Sequence, residues 1–182
     1  RQNCVNSNLN FNMISKKNLI LLGMMGVGKT TIGRLLAKKL NLDFYDIDQI
    51  IEKENNMKIS DIFKKKGEIF FRKQEESITI NCLKKNHSVI SLGGGAFVNK
   101  NIRENVLLKA RSFWLTTSIG ILKSRIKSNK RRPVINQIGL KNIEDLFKKR
   151  KEFYSLADHK IECEKLTLNQ ISDKIIKLYE NN

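Results

Sequence analysis

The segment LILLGMMGVGKT, from Leu19 to Thr30, decides the fold of this chain. Its second part, Gly23 to Thr30, matches the phosphate-binding pattern G-x-x-x-x-G-K-[ST], and an apolar run typical of a buried strand precedes it. The glycines leave room for backbone N–H groups to converge on a phosphate. A helical stripe follows the loop, formed by Ile32, Leu35, Leu36 and Leu40. This context favours a nucleoside triphosphate site over an ordinary glycine-rich turn, because the positive end of the helix faces the anion.

The rest of the 182-residue chain alternates short apolar strands with helical patterns. The predicted strands lie near 18–22, 44–47, 88–92, 113–115 and 159–163. The predicted helices lie near 29–40, 48–55, 60–66, 68–84, 118–126 and 142–156, and the last helix opens at a capping box of Thr167 and Gln170. Asn41 is expected to close the first helix, Ser60 to cap another, and Gly67 to interrupt the pattern. Five strands with crossover helices predict an α/β domain whose parallel sheet carries helices on both faces.

The net charge of +17 raises the alternative of a nucleic-acid-binding protein. The lysines, however, are scattered over nearly every predicted helix and are not interleaved with aromatic residues. This distribution favours a solvated surface with a few arginines directed at small anions. We therefore expect no dedicated nucleic-acid site.

Cysteine usage and hydropathy bear on where the protein works. Cys4, Cys82 and Cys163 are odd in number and lack metal-ligand spacing, which favours free thiols in a reducing cytoplasm. No apolar stretch reaches the length of a membrane span, and no signal-peptide pattern is visible. We expect a cytoplasmic protein without membrane contact. Residues 1–16 are predicted to be a dispensable polar extension, and residues 17–182 a single domain.

Two aspartates follow the second predicted strand. Asp46 and Asp48 lie at its carboxyl end, the edge where open α/β sheets place their ligands. Alternation along a strand would turn both side chains to the same face. One carboxylate could then face Mg²⁺ and its water shell while the other meets a substrate hydroxyl. A surface turn or a helix N-cap is the alternative for this pair.

A basic residue and a glycine run provide two further candidates. Arg72 and Glu75 are spaced i and i+3 on a predicted helix, so Glu75 can hold the guanidinium in place while Phe71 covers its neighbourhood. An arginine fixed in this way can bind a carboxylate, although an exposed ion pair is the alternative. The run from Gly93 to Gly95 after a buried strand favours close approach of backbone N–H groups to a ligand.

A polar stretch at 127–136 contains Pro133, the only proline of the chain, and little apolar periodicity. A polar stretch of this kind predicts a mobile loop.

Taken in order, these motifs resemble those of the shikimate kinase family from about Lys17 to Tyr179. The family's phosphate loop is similar to 23–31, and its aspartate pair to Asp46 and Asp48. Its G-E-x-x-F-R-x-x-E signature is similar to GEIFFRKQE at 67–75, with the phenylalanine at Phe71.

The resemblance continues through the second half of the chain. The family's glycine triplet is similar to 93–95. The lid arginine of its R-P motif resembles Arg132, and an arginine that packs on adenine resembles Arg125 seven residues earlier. Its last substrate-binding arginine, four residues before a tyrosine, resembles Arg150 before Tyr154.

What the resemblance implies is a P-loop fold like that of the nucleoside monophosphate kinases, with a mobile lid at about 127–140 and an acceptor-binding region at about 48–76. It further implies that ATP phosphorylates the 3-hydroxyl of shikimate, within aromatic amino-acid (chorismate) biosynthesis. ATP and shikimate would be the partners of a monomer. The implied cofactor is Mg²⁺, on Thr30 and, through water, on Asp46.

The resemblance also implies a role for individual residues. The implied catalytic residues are Lys29, Asp48 and Arg132. The implied ATP contacts are Gly26, Val27, Gly28, Lys29, Thr30, Thr31, Arg125 and Arg132. The implied shikimate contacts are Asp48, Phe63, Phe71, Arg72, Glu75, Gly93, Gly94, Gly95 and Arg150.

Three alternatives remain open at this point. The first is another small-metabolite kinase of the same fold, for gluconate or a nucleoside monophosphate, although these acceptors need anchors other than Arg72 and Arg150. The second is a kinase-like regulatory module without turnover. The third is a P-loop protein that binds nucleic acid, which salt-dependent binding to DNA or RNA would distinguish.

Overall fold

The computed structural model describes residues 17–128 and 142–181. Its strands are β1 (Asn18–Leu22), β2 (Asp43–Asp46), β3 (Ser88–Ser91), β4 (Ala110–Thr116) and β5 (His159–Glu162). The helices are α1 (Lys29–Leu40), α2 (Ile47–Asn55), α3 (Ile59–Leu83), α4 (Lys100–Lys109), α5 (Ile119–Ser128), α6 (Asn142–Tyr154) and α7 (Leu168–Glu180). All strand pairs are parallel and the sheet order is β2-β3-β1-β4-β5, which confirms the predicted α/β class.

Strand β1 is the centre of the sheet and of the core. Leu19 to Leu22 are 0% exposed, as expected for a strand of a parallel sheet covered by helices. In the sheet, β3 and β2 lie on one side of β1, and β4 and β5 lie on the other. The loop after β1 therefore lies at the point where strand order reverses, which is where open sheets of this type bind ligands.

The ends of two helices agree with the sequence prediction. Helix α1 begins at Lys29, directly after the phosphate-binding loop, and ends at Asn41, whose φ of 53° is left-handed. The capping box of α7 is also present. The Thr167 hydroxyl accepts from the N–H of Gln170, and the Gln170 side chain accepts in return from the N–H of Thr167.

The predicted cap at Ser60 is wrong. Helix α3 begins one residue earlier, at Ile59, and its N-cap residue is Lys58. The Ile59 N–H instead donates to Glu52 Oε1 at 3.1 Å, so a carboxylate from the preceding helix supplies the cap. Gly67, with φ of 81° and ψ of 168°, breaks α3 into two helical parts, as the sequence predicted.

Helix α4 was not predicted from the sequence. Only Ile102 and Val106 are buried in it, so its apolar stripe is too thin to be recognised as a pattern. Its start follows ordinary capping chemistry, since the Asn99 side chain accepts from the N–H of Ile102 at 3.1 Å.

Several predictions fall partly or wholly outside the described residues. The N-terminal extension, Cys4 and the 129–141 segment, which holds Arg132 and most of the predicted lid, are among them. Helix α5 continues to Ser128, so residues 127 and 128 are helical rather than loop. Cys82 and Cys163 are buried free thiols. In the described ranges, no helix has both the length and the apolar character needed to cross a bilayer.

Candidate active site

A cavity of about 220 Å³ opens at the carboxyl edge of β1, β2 and β3. Its walls combine the phosphate-binding loop with the two aspartates after β2 and with residues that follow β3, including Gly94. Arg125 closes one side. The segments that the sequence predicted separately are therefore brought to one place by the order of the strands.

The phosphate-binding loop is shaped by glycines at its two ends. Gly23 has φ of 135°, and a Cβ there would collide with the carbonyl oxygen of Leu115 on β4. Gly28, with φ of 105°, turns the chain into α1. Lys29 is 9% exposed, and its Nζ donates to the carbonyl oxygens of Gly23 at 2.8 Å and Met24 at 3.1 Å. The ammonium group therefore lies inside the curve of the loop, where phosphates would lie.

Thr30 and Asp46 are joined directly. The Thr30 hydroxyl donates to Asp46 Oδ2 at 2.6 Å, and Asp46 Oδ1 accepts the Gln49 N–H at 3.2 Å. Asp46 is thus the N-cap of α2 as well as a cavity residue. Asp48 lies in the first turn of that helix, so the prediction that strand alternation aligns Asp46 with Asp48 is wrong. Both line the cavity because a helix begins between them.

This pair has the chemistry that Mg²⁺ prefers. Hydroxyl and carboxylate oxygens are hard ligands, and a magnesium ion at a nucleotide usually takes only one or two protein ligands and fills the remaining positions with water and phosphate. Thr30 and Asp46 at the edge of the cavity fit that pattern. Within 17–128 and 142–181, no group of three or more His, Cys, Asp or Glu side chains could hold a metal ion.

Arg72 is held by two carboxylates, one of which the sequence analysis did not assign to it. Its Nη1 donates to Glu75 Oε2 at 2.7 Å, as predicted. Its Nε and Nη2 both donate to Glu68 Oε1 at 3.2 Å, and the i, i+4 spacing of Glu68 could have identified this second partner. Although burial opposes the charge, the two glutamates raise the pKa of the Arg72 guanidinium above its usual value.

Glu75 is a buried carboxylate surrounded by cations. Its side chain is 2% exposed, and burial raises the pKa of its carboxyl group above the ordinary glutamate value, against the opposing charges of Arg72 and Arg150. Glu75 thus lies close to two guanidinium groups, and Arg72 is also paired with Glu68. Both guanidinium groups are positioned where they could donate hydrogen bonds to an anionic ligand.

The glycine run after β3 packs directly against these side chains. A Cβ at Gly93 would collide with Glu75 Oε1 and lie 2.8 Å from Asp48 Oδ1. A Cβ at Gly95 would lie 2.8 Å from Arg72 Nη1 and 3.2 Å from Arg150 Nη2. Glycine is therefore required here by close packing against side chains of the protein, and the approach of these N–H groups to a ligand stays a prediction.

Arg150 and Tyr154 reach the same place from helix α6, one turn apart. Arg150 Nη1 is buried and has no hydrogen-bond partner in the described part of the chain. It lies near Gly94, where a Cβ would be 3.4 Å away. The Tyr154 hydroxyl donates to the Gly94 carbonyl oxygen. In the sequence, Tyr154 only marks the position of Arg150, and no local pattern assigns it a role.

The remaining predicted site residues divide between the cluster around Arg72, which meets the cavity near Gly94, and the phosphate-binding loop. The rings of Phe63 and Phe71 are 4.7 Å apart, and the Arg72 guanidinium lies 5.2 Å from the centroid of Phe71. At the other end, Arg125 Nη1 donates to the carbonyl oxygen of Val27 in the phosphate-binding loop at 3.3 Å. Arg132, the third predicted catalytic residue, lies outside the described residues.

Comparison with known proteins agrees with this geometry. The family model described as "Shikimate kinase" matches residues 25–180. The chain belongs to the shikimate kinase family. A shikimate kinase from Bacillus subtilis is 41% identical over 169 residues, which cover 90% of this chain and 89% of the relative.

Solved structures of the family have the same fold. A shikimate kinase from Acinetobacter baumannii, in complex with shikimate, has a TM-score of 0.86 and 32% identity, covering 91% of this chain and 94% of that one. The shikimate kinase from Aquifex aeolicus has a TM-score of 0.76 and 31% identity, covering 90% and 97%. Members of this family are small-molecule kinases, and the chain is an enzyme of that class.

Proposed function

We propose that this enzyme transfers the γ-phosphoryl group of ATP to the 3-hydroxyl of shikimate, giving shikimate 3-phosphate for aromatic amino-acid (chorismate) biosynthesis. The observation that carries the proposal is the pair of guanidinium groups, Arg72 and Arg150, against Gly95 beside a phosphate-binding loop. The relative from Acinetobacter baumannii, whose structure contains shikimate, supports the same acceptor for this chain.

The acceptor end of the cavity suits a small carboxylate. Glu68 and Glu75 orient Arg72, so its guanidinium is ready to form paired hydrogen bonds without further ordering. The buried Nη1 of Arg150 would gain from a carboxylate oxygen the partner that the described part of the chain does not provide. Phe63 and Phe71 would cover the apolar parts of the shikimate ring, and the triplet from Gly93 to Gly95 would supply backbone donors.

The donor end suits phosphoryl transfer. In the step, the 3-hydroxyl oxygen forms a bond to the γ-phosphorus, the bond to the bridging β,γ-oxygen breaks, and Asp48 takes the hydroxyl proton. Lys29 neutralises charge on the β and γ phosphates. From the sequence, Arg132 is assigned to the charge of the transferring group and Arg125 to the adenine ring. Gly26, Val27, Gly28, Thr30 and Thr31 complete the ATP contacts.

Mg²⁺ is the proposed cofactor, with Thr30 as its protein ligand and Asp46 holding its water shell. When bound, the ion supplies positive charge that neutralises the phosphates. The proposal places the acceptor-binding region at about 48–76 and the lid at about 127–140, in a single domain formed by residues 17–182. A cytoplasmic monomer without nucleic-acid or membrane partners is the corresponding biological state.

An acceptor panel tests the proposal. Purified protein is given ATP and Mg²⁺ with shikimate, gluconate or AMP, and ADP release is followed in each case. We expect release with shikimate alone. AMP has no carboxylate for the arginine pair, and the open chain of gluconate does not hold a hydroxyl at a fixed distance from its carboxylate as the shikimate ring does. Equal release with all three acceptors, or none with shikimate, would overturn the proposed function.

A further inference from the structure

Tyr154 is the largest polar side chain buried behind the glycine triplet. It is 1% exposed, and its hydroxyl donates to the carbonyl oxygen of Gly94. The Tyr154 hydroxyl oxygen also lies 3.7 Å from Met24 Sδ in the phosphate-binding loop, and the centroid of the Tyr154 ring is 5.9 Å from that of Trp114 on β4. Contacts with Met24 and Trp114 therefore hold the Tyr154 side chain in place next to the glycine triplet.

The Tyr154 hydroxyl is suited to act as a permanent donor. Burial raises the pKa of Tyr154 to about 12, against the opposing charge of Arg150. The hydroxyl consequently keeps its proton throughout the neutral pH range. A buried carbonyl oxygen needs a donor, and Tyr154 provides one for Gly94.

The position of this hydrogen bond matters because of peptide geometry. The peptide unit between Gly94 and Gly95 is planar, and among the described residues no peptide bond is cis. Its carbonyl and N–H groups therefore point in opposite directions, so a bond that fixes the Gly94 carbonyl also fixes the Gly95 N–H. Glycine has little conformational preference of its own. The carbonyl oxygens of Gly93 and Gly95 accept from the N–H groups of Ala96 and Val98, each at 3.1 Å, and Tyr154 supplies the donor for the carbonyl oxygen between them.

The triplet in turn lies directly against the acceptor cations. Any shift of Gly95 would change its separation from Arg72 and Arg150, since a Cβ at this position would be only 2.8 Å and 3.2 Å from their nitrogens. Arg150 and Tyr154 are also on the same helix, one turn apart, so one rigid element carries an acceptor cation and the support of the triplet.

We propose that Tyr154 is a positioning residue of the acceptor site, which fixes the glycine triplet against Arg72 and Arg150 through the Gly94 carbonyl. The proposal rests on the function proposed above, because it assigns Tyr154 to acceptor binding rather than to ATP binding. Tyr154 would then control the affinity for shikimate without touching it.

The chain offers a matched control for testing this role. Tyr179 is 6% exposed, and its hydroxyl also donates to a backbone carbonyl oxygen, that of Lys17, at 2.5 Å. It lies on α7, and Lys17 does not line the cavity, whereas Gly94, the partner of Tyr154, does. Tyr154→Phe and Tyr179→Phe therefore remove the same chemical group from similar surroundings, and only the first should affect the acceptor.

The experiment measures kcat and both KM values for the wild type and the two variants, with calorimetric titration of shikimate and thermal unfolding alongside. For Tyr154→Phe we expect the shikimate KM and Kd to rise about fivefold or more, because one buried hydrogen bond is lost. The ATP KM should stay within about twofold of the wild type. Tyr179→Phe should lower the melting temperature while leaving both KM values unchanged.

An unchanged shikimate KM in Tyr154→Phe, or equal rises in both KM values, would overturn the positioning role, since the latter would make Tyr154 a support of the phosphate-binding loop. A similar rise of the shikimate KM in Tyr179→Phe would show that the effect of Tyr154→Phe comes from general destabilisation, and would also overturn the positioning role. Wild-type protein that fails to phosphorylate shikimate would overturn the proposed function, and the inference with it.

Discussion

The donor end of the proposed site, at the phosphate-binding loop, and the acceptor end, at Arg72 and Arg150, are built in different ways. The donor end is almost contiguous in sequence, because β1, the phosphate-binding loop and α1 follow one another from Asn18 to Leu40. Its key contacts are to backbone, as when Lys29 Nζ donates to two carbonyl oxygens of its own loop. Asp46 and Arg125 add single hydrogen bonds to this motif from other segments, to Thr30 and to Val27.

The acceptor end is assembled from distant segments. Arg72 comes from α3, Gly95 from the turn after β3 and Arg150 from α6, and charge and close packing hold them together. Glu75 lies between the cations as a buried carboxylate. Because the two ends come from different segments, we expect donor binding and acceptor binding to be separable. Mutations at one end should then leave affinity at the other end nearly unchanged.

The largest expected effect is at the donor end. Lys29→Met should lower kcat by about a thousandfold, because it removes a charge from the β and γ phosphates while keeping the length of the side chain. Calorimetric titration should show shikimate affinity within about twofold of the wild type. A parallel loss of shikimate affinity would mean that the two ends are not separable.

The next largest effect is at the acceptor end. Arg72→Ala should raise the shikimate KM strongly, since breaking a desolvated, hydrogen-bonded charge pair costs about 2–5 kcal/mol. ATP affinity should remain nearly unchanged, and initial-rate measurements with each substrate varied in turn would show the difference. If ATP affinity fell as much as shikimate affinity, Arg72 would belong to the donor end.

These two variants also show how far the sequence could predict the site. The donor end was predictable from residues alone, because Gly23 to Thr30 forms a single continuous phosphate-binding pattern. Arg72 and Glu75 could be paired from helical spacing, and the 2.7 Å contact confirms the pairing. Bringing Arg150 to Gly95, however, depends on the positions of α6 and β3, which no local pattern contains, and only the resemblance to a family indicated it.

Other features were missed or mistaken for definite physical reasons. The alignment of Asp46 and Asp48 was inferred from strand alternation, but the strand ends at Asp46, which caps α2. The cap of α3 comes from Glu52, a residue of the preceding helix. A contact between two helices of this kind cannot be predicted from the spacing of residues within one of them. Tyr154 was overlooked because a tyrosine on an amphipathic helix is typical of a core position.

A smaller effect is expected from Glu75→Gln, and it depends on pH. The pKa of Glu75 is raised in the folded protein, so the folded state favours the protonated carboxyl. Its contribution to the free energy of unfolding is therefore fully present below the ordinary glutamate pKa of 4.5 and is lost as pH rises through the raised value. The difference in stability between wild type and Glu75→Gln should fall across that window.

Unfolding by urea at several pH values would measure this difference. The same variant should raise the shikimate KM by about tenfold at neutral pH, because Arg72 loses its charged partner. A stability difference that grows with pH would show that the Arg72 charge outweighs burial at Glu75. An unchanged shikimate KM would show that Glu68 alone can orient Arg72.

The smallest effect concerns the basic surface. If the lysines that give the net charge of +17 are merely solvated, random duplex DNA should bind weakly, and binding should vanish at physiological salt. DNA should also fail to compete with ATP for the donor end. Submicromolar binding that persists in fluorescence anisotropy at about 150 mM salt would show a dedicated nucleic-acid site.

Recognition of the acceptor carboxylate by Arg72 and Arg150 can be tested by neutralising that carboxylate in the substrate. Initial rates are compared for shikimate and its methyl ester, with wild type and with Arg72→Ala. We expect the wild-type enzyme to prefer shikimate over the ester by about a hundredfold in kcat/KM, and Arg72→Ala to lose most of this preference. A wild type that uses both substrates equally, or a variant that keeps the full preference, would contradict it.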